Sequence, residues 1–316
     1  MNDDLRSLGE FGMIDRIRDM FPCDDVCKGI GDDCAIMPGP DGKHTLVSSD
    51  MLIEGTHFLL GDISARQLGW KSLAVNLSDI AAMGGTPRAS FLSIALPSNL
   101  PSSWVKEFLE GYREISSRYS TLLLGGDTCA SPDRLCISVT VTGECEAGKA
   151  VLRSGAKVGD LICVSGPLGE SAAGLRVILD GRSRSAYDEY LVGRHYLPTP
   201  RIEEGKILAS CPGVHSMMDI SDGLASDIRH IMKESGVGAE IEVDRVPLGS
   251  GKFGPDCHPS IEDALEGGED YELLFTVDPK AEASLGVPHF VIGRIVRGGE
   301  LVWIGSDRIF QGFRHF

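Results

Sequence analysis

The chain has 316 residues, 42% of them apolar and 24% charged, the balance of an ordinary globular protein and too long for one hydrophobic core, so two domains are expected. A formal net charge of −16 argues against nucleic acid or an anionic membrane as partner, since both select a basic face. Nine cysteines, an odd number without a Cys-x-x-Cys pair, read as reduced thiols; with an acidic start that is no signal peptide and no apolar run of membrane-spanning length, a soluble cytoplasmic protein is expected.

In chain order, strand signals fall at 44–49, 91–96, 121–124 and 135–142. A helix is expected from the N-cap candidate Ser64 to Met83, ended by Gly84-Gly85, and a second over 102–118. A Gly-, Lys- and Ala-rich stretch at 143–159 precedes a strand at 161–165, which puts a domain boundary near 145–155. The second half adds helices near 169–181 and 184–196 and a strand at 216–220. A helix at 222–234 follows, with Leu224, Ile228, Ile231 and Met232 at helical spacing. Strands are expected at 239–243, 271–277, 290–296 and 301–304. Leu77-Ser78-Asp79 and Ile220-Ser221-Asp222 hint at two related α+β halves.

Six segments set acids among small residues: Gly31-Asp32-Asp33, Ser48-Ser49-Asp50, Asn76-Leu77-Ser78-Asp79, Gly125-Gly126-Asp127-Thr128, Asp219-Ile220-Ser221-Asp222-Gly223 and Gly267-Gly268-Glu269-Asp270. A carboxylate so flanked is open to a hard cation, which takes oxygen ligands and phosphate together. Asp79 is the leading ligand candidate, because its helix is apolar almost all round and a buried carboxylate there must be paired or metal-bound. Lys71 is eight residues away on a different face. Asp50 reads as the end of a strand, where a strand stop with a solvated acid is the favoured reading of the segment alone, and Asp127 as a residue presented where an apolar run breaks at Gly125-Gly126, which a tight turn explains equally. Asp219 and Asp222, three apart before a helix, can face one metal, although Ser221 or Asp222 could simply cap that helix. The Glu269-Asp270 segment reads as bare acids at a strand start, or as a hairpin turn. Neither a Walker-type phosphate loop nor a kinase catalytic loop is present, and covalent catalysis is discounted.

Taken in order, these segments resemble the thiamine-monophosphate kinase family, in the superfamily of aminoimidazole-ribonucleotide synthetase and selenophosphate synthetase. The matching stretches are Gly29-Ile-Gly-Asp-Asp-Cys-Ala35, Ser48-Ser-Asp-Met-Leu-Ile-Glu-Gly-Thr-His-Phe58, Lys71-Ser-Leu-Ala-Val-Asn-Leu-Ser-Asp-Ile-Ala-Ala-Met-Gly84, Gly125-Gly-Asp-Thr128, Arg153-Ser-Gly-Ala-Lys-Val-Gly-Asp160, Asp219-Ile-Ser-Asp-Gly-Leu224 and Gly267-Gly-Glu-Asp-Tyr-Glu-Leu273, of which the one from Ser49 to Phe58 separates the kinase from its relatives. The resemblance implies an α+β protein of two α/β-type domains, 1–148 and 149–316, with the N-terminal sheet forming a barrel in a homodimer and the C-terminal sheet packed by helices. It implies ATP-dependent phosphorylation of thiamine monophosphate to thiamine diphosphate, with several Mg2+ ions on Asp33, Ser48, Ser49, Asp50, Asp79, Asp127, Asp219 and Asp222. Of these, Asp79, Asp127 and Asp219 would be central to catalysis. Gly126, Asp127, Arg153 and Ser221 would lie against ATP, and His57, Asp270 and Phe310 would touch the thiamine phosphate. An ATP-dependent synthetase acting on an amide or carbonyl oxygen, and a non-catalytic cation-binding protein, are the rival readings.

Overall fold

The computed structural model describes residues 5–23, 27–181 and 183–313. The chain runs α1 (Leu5–Met20), β1 (Ala35–Pro38), β2 (Lys43–Ile53), α2 (Ala65–Ala82), β3 (Thr86–Pro97), α3 (Ser102–Arg118), β4 (Leu122–Ser131) and β5 (Cys136–Glu146). It continues through β6 (Leu161–Val164), α4 (Glu170–Asp180), α5 (Ala186–Tyr196), α6 (Ile202–Ser210), β7 (Val214–Asp219), α7 (Leu224–Ser235), β8 (Gly238–Glu242), α8 (Ile261–Glu266), β9 (Leu273–Val277), β10 (Phe290–Val296) and β11 (Leu301–Ile304). The first five strands form one mixed sheet, ordered β1-β2-β5-β3-β4, and the other six a second, ordered β11-β8-β10-β6-β9-β7.

Helix α2 is the wall between them. Ser64 caps it as expected, in a reciprocal capping box with Gln67. Its apolar residues leave almost no exposed face: Leu68, Leu73, Ala74, Leu77, Ile80 and Ala81 are all fully buried. One side packs on the N-terminal sheet and on α3, where Gly69 and Gly111 let the backbones meet; a Cβ on either would come within about 2 Å of a carbonyl oxygen of the other helix (2.0 Å from Phe108, 1.9 Å from Arg66). Its other side meets β7, α5 and α6 of the second half. The core around α2 accordingly contains Met217, Leu273 and Phe275 from the second sheet, while a separate core under α7 and α8 fills the rest of that half. A buried leucine such as Leu73 contributes roughly 2–5 kcal/mol relative to alanine.

Two strand expectations change. β2 does not stop at Asp50 but continues to Ile53, pairing Asp50 with Val139. β4 does not break at Gly125-Gly126 but runs through both glycines to Ser131, along β3. Gly126 is needed by packing there: its φ is 145°, and a Cβ would fall 1.7 Å from the Leu92 carbonyl oxygen. Among the described residues, no helix is long and apolar enough to cross a membrane.

Candidate active site

Four acids converge where α2 faces the inner surface of β2 and the end of β7. Asp33 comes from the turn before β1, Asp50 from β2, Asp79 from the last turn of α2 and Asp219 from the end of β7. One carboxylate oxygen each of Asp33, Asp79 and Asp219 lies within 4.8 Å of the others. Local bonds fix the donors. Ser48 Oγ donates to Asp79, and Ser78 Oγ to Asp219 across the two halves. The Asn76 side chain accepts the Asp50 amide N–H at 3.1 Å while its own N–H2 returns to the Ser72 carbonyl, so this polar face of α2 orients β2 as well as Asp79. Arg153, in the segment joining the sheets, donates to Asp33 Oδ1 at 2.6 Å, and its amide to Asp32 at 2.6 Å. The second Asp33 oxygen is buried with no partner.

This is a site short of positive charge. Burial, then the charges of neighbouring acids, pushes Asp79 well above the usual carboxylate range. Burial and Asp33 raise Asp50 to about 6 and Asp219 to about 7. Burial also lifts Asp33, against the pull of Arg153. Acids crowded in this way hold protons unless cations enter. An all-oxygen set with an orphaned carboxylate oxygen fits a hard divalent ion such as Mg2+ and would not suit a soft metal.

Asp222 stands on the same loop as Asp219, but neither it nor Ser221 caps α7. The N-cap is Gly223, and Asp227, from inside the first turn, folds back to accept the amides of Ser221 and Asp222 at 3.1 and 3.2 Å. The side chains of Ser48, Ser49 and Asp50 alternate across β2, so within one chain Ser49 points to the face opposite that of Ser48 and Asp50. Register places Asp50 in one row with Val139, Leu92 and Gly126, facing α2; Ser49 and Asp127 belong to the flanking rows, with Thr140 and with Ser93, on the open face. Within one chain, therefore, the Asp127 side chain is on the far side of the sheet from the acid cluster, exposed on the edge strand.

The Gly267-to-Asp270 segment is no hairpin. It leads out of α8 and lies against the loop after β7, with Glu269 N–H donating to the Ser221 carbonyl at 2.8 Å and Tyr271 N–H to that of Ile220 at 2.9 Å. Asp270 is buried at the start of α4, accepting the amides of Gly169 at 2.7 Å and Ser171 at 3.3 Å; burial outweighs these bonds and raises it to about 7. Glu269 meets the fully buried Lys71 at 2.9 Å. Burial works to raise its carboxyl, but Lys71, His195 and the nearby His57 together hold it below the ordinary value. His57 is half-buried, its Nδ1 accepting the Ile53 amide at 2.9 Å. Phe310 is not on this surface: it is 2% exposed, packed edge-on against Trp303 in the second core. Sequence reasoning weighed Lys71 only as a partner for Asp79 and Glu269 only as a bare acid, and passed over His195 and Tyr271; a lysine inside an apolar helix was the one available signal that a partner acid had to exist.

Family models for the AIR synthase related protein match twice, the N-terminal domain over residues 31–145 and the C-terminal domain over 157–304. The chain is 40% identical to the thiamine-monophosphate kinase of Haemophilus influenzae, over 92% of this chain and 90% of the relative, and 42% identical to that of Bacillus subtilis, over 80% and 78%. Its structure superposes on that of AaThiL complexed with AMPPCP and TMP with a TM-score of 0.89, 36% identity and complete coverage of both chains. With this likeness spanning both sheets and every acidic segment, the chain belongs to the thiamine-monophosphate kinase family.

Proposed function

We propose that the chain transfers the γ-phosphoryl group of ATP to the terminal phosphate of thiamine monophosphate, giving thiamine diphosphate and ADP, and that its acid cluster holds several Mg2+ ions. The observation that carries the metal reading is the meeting of Asp33, Asp79 and Asp219 within 4.8 Å, with one Asp33 oxygen buried and unpartnered. Asp50, Asp222 and the Ser48 hydroxyl complete the ligand set from the same chain. Bound Mg2+ would supply the positive charge that cancels repulsion between two phosphates and steadies the charge moving onto the leaving group.

The remaining tasks fall to the chain itself. Arg153 offers a guanidinium beside the cluster for a phosphate of ATP. The Ser221 loop lies next to Asp219 as a second nucleotide contact, and His57 and Asp270 flank the acceptor. The attacking atom is a phosphate oxygen already ionised at neutral pH. An O–P bond forms to the γ-phosphorus as its bond to the ADP oxygen breaks, and no general base is required.

The open face of the N-terminal sheet supports a homodimer with a barrel between the two sheets: Phe91 and Met51 are exposed on it, and the edge strand β4 leaves Leu122, Leu123 and Leu124 bare. In such a dimer Ser49, Gly126 and Asp127 would act at the site from a partner copy or along the shared face. The gap between β5 and β6 supports domains of 1–148 and 149–316.

The test is incubation of the protein with ATP, Mg2+ and thiamine monophosphate. Equal amounts of ADP and thiamine diphosphate, abolished by EDTA, are expected. ADP without thiamine diphosphate, or turnover indifferent to chelation, would overturn the reading.

A further inference from the structure

Lys71 has no solvent exposure at all, yet it sits in a largely apolar, buried helix. Burying an ammonium costs several kcal/mol, and an apolar side chain would fill the same space, so the charge needs a reason beyond packing. Its partners supply one. Nζ donates to Glu269 Oε2 at 2.9 Å and lies 3.5 Å from His195 Nε2. His195, 2% exposed, holds its Nδ1 3.0 Å from Ser171 Oγ and 3.2 Å from the same Glu269 oxygen. The Ser171 amide is one of the two that grip Asp270.

The backbone around Asp270 is unusual for L-residues. Glu269 and Tyr271, on either side of it, have φ of 64° and 53°. Left-handed backbone at a glutamate and a tyrosine is retained only where surrounding contacts over-determine it. The amides of both residues are bonded to the loop that carries Asp219 and Asp222. Nothing in those backbone bonds explains why the Glu269 side chain points inward; the Lys71 ammonium does. The same helix, two turns later, carries Asp79. One rigid rod thus ties the acid cluster at its C-terminal end to the acceptor-side turn through a single buried ion pair.

We propose that Lys71 is a positioning residue for the acceptor phosphate, acting through Glu269: the pair locks the Glu269-Asp270-Tyr271 turn in its left-handed form and sets Asp270 against α4, at a fixed offset from Asp79. The inference rests on the kinase reading above and adds to it a residue that touches neither nucleotide nor metal. Its signature is selective. Loosening the turn should weaken the acceptor more than ATP, because the side chains that Lys71 holds, Glu269 and His195, lead through Ser171 to Asp270, whereas the link from this turn to the ATP-side Ser221 is the backbone bond from the Glu269 amide alone.

Steady-state kinetics of the full chain with Mg2+, ATP and thiamine monophosphate test this in wild type, Lys71→Met, Glu269→Gln and the double variant. Lys71→Met should raise KM for thiamine monophosphate by about tenfold or more while KM for ATP stays within about twofold. Glu269→Gln, which keeps side-chain volume and so carries the test should Lys71→Met fail to fold, should show the same split. The double variant should be no worse than the poorer single, since each single already breaks the one pair. Equal rises in both KM values, or an unchanged acceptor KM in both singles, would overturn the proposal while leaving the kinase reading intact. Wild-type protein that forms no thiamine diphosphate would remove that reading, and this one with it.

Discussion

Two groups of acids withdrawn from solvent, one within the Gly267-to-Glu272 segment and one at the meeting of α2, β2 and β7, are solved in opposite ways. Glu272 is wholly buried yet complete: Ser165 Oγ donates at 2.6 Å, Arg201 Nε at 2.8 Å, and Arg194 lies 3.6 Å away. Glu269 is likewise met by Lys71. The acid cluster has Asp33, Asp50, Asp79 and Asp219 with Arg153 as the one guanidinium bonded into it among the described residues. A buried acid with its cation built into the chain shapes the fold; buried acids without one are an invitation to cations from solution. The direction of the shifts separates Glu269 from Asp79: Glu269 is held below its ordinary pKa, Asp79 far above.

Removing one acid from each group should break the symmetry between them. Asp79→Asn is expected to lower kcat/KM by about 10^4-fold, several kcal/mol of lost charge stabilisation, while the metal-free protein melts close to wild type because Asp79 there already holds a proton and an amide of the same size replaces a neutral acid. Retained turnover would take Asp79 out of the site. Glu272→Gln should do the reverse. It leaves Arg201 and Arg194 against a neutral amide, costing about 3 kcal/mol, or roughly 6 °C in Tm, with turnover per folded molecule kept. Thermal melting and an assay normalised to folded protein read both effects; a Glu272→Gln protein with unchanged Tm would show that the pairing carries no stability.

This contrast was half legible in the sequence. Asp79 stood out because an apolar helix needs no carboxylate, and α7 followed from Leu224, Ile228, Ile231 and Met232, all of which are buried. Pairing across the chain was not legible: Lys71 and Glu269 are 198 positions apart, and no local spacing reports that. Helix α6 went unseen because Gly205 interrupts its pattern; the glycine is there for α2, since a Cβ would lie 2.1 Å from the Ala81 carbonyl oxygen. Gly125-Gly126 reads locally as a turn, yet the strand passes through because β3 pairs with it from Leu122 to Ser131, with only a register shift at Leu124. Local chemistry marked acids that are short of cations, and tertiary context decided which of them meet.

Chelation sharpens the same comparison at a smaller scale. Mg2+ at about 100 times its dissociation constant should stabilise the wild type by roughly 2.7 kcal/mol over EDTA-treated protein. The increment should vanish in Asp79→Asn and survive in Glu272→Gln. An Mg2+ increment that Glu272→Gln removes and Asp79→Asn keeps would reverse the roles assigned to the two groups.

The smallest effect expected is the pH dependence of that increment, and its sign follows from the raised acids. Asp50 at about 6 and Asp219 at about 7 start from an ordinary value of 3.8, so between those limits the folded metal-free protein binds more protons than the unfolded chain. Their stabilising contribution is complete below the unfolded value and is lost as pH rises through 6 and 7, by up to about 1.4 kcal/mol per pH unit for each proton. Asp33 faces both carboxyls and raises them, Arg153 pulls Asp219 the other way without overcoming burial, and Asp79 and Tyr271, which face the same acids, are raised as well. His195 and His230, lowered to about 4 by burial, act oppositely, their contribution being lost as pH falls from 6.5 towards 4, so raw melting curves mix the two. The Mg2+-induced shift isolates the cluster. Protons and Mg2+ compete for the same oxygens, so the rise in Tm with Mg2+ should be small at pH 5.5 and larger at pH 8, apparent affinity gaining about tenfold per unit for each proton displaced. Equal shifts at the two pH values would mean that these carboxylates are already ionised without metal, and the distinction between self-sufficient and cation-seeking acids would fail at the place where it is most exposed to test.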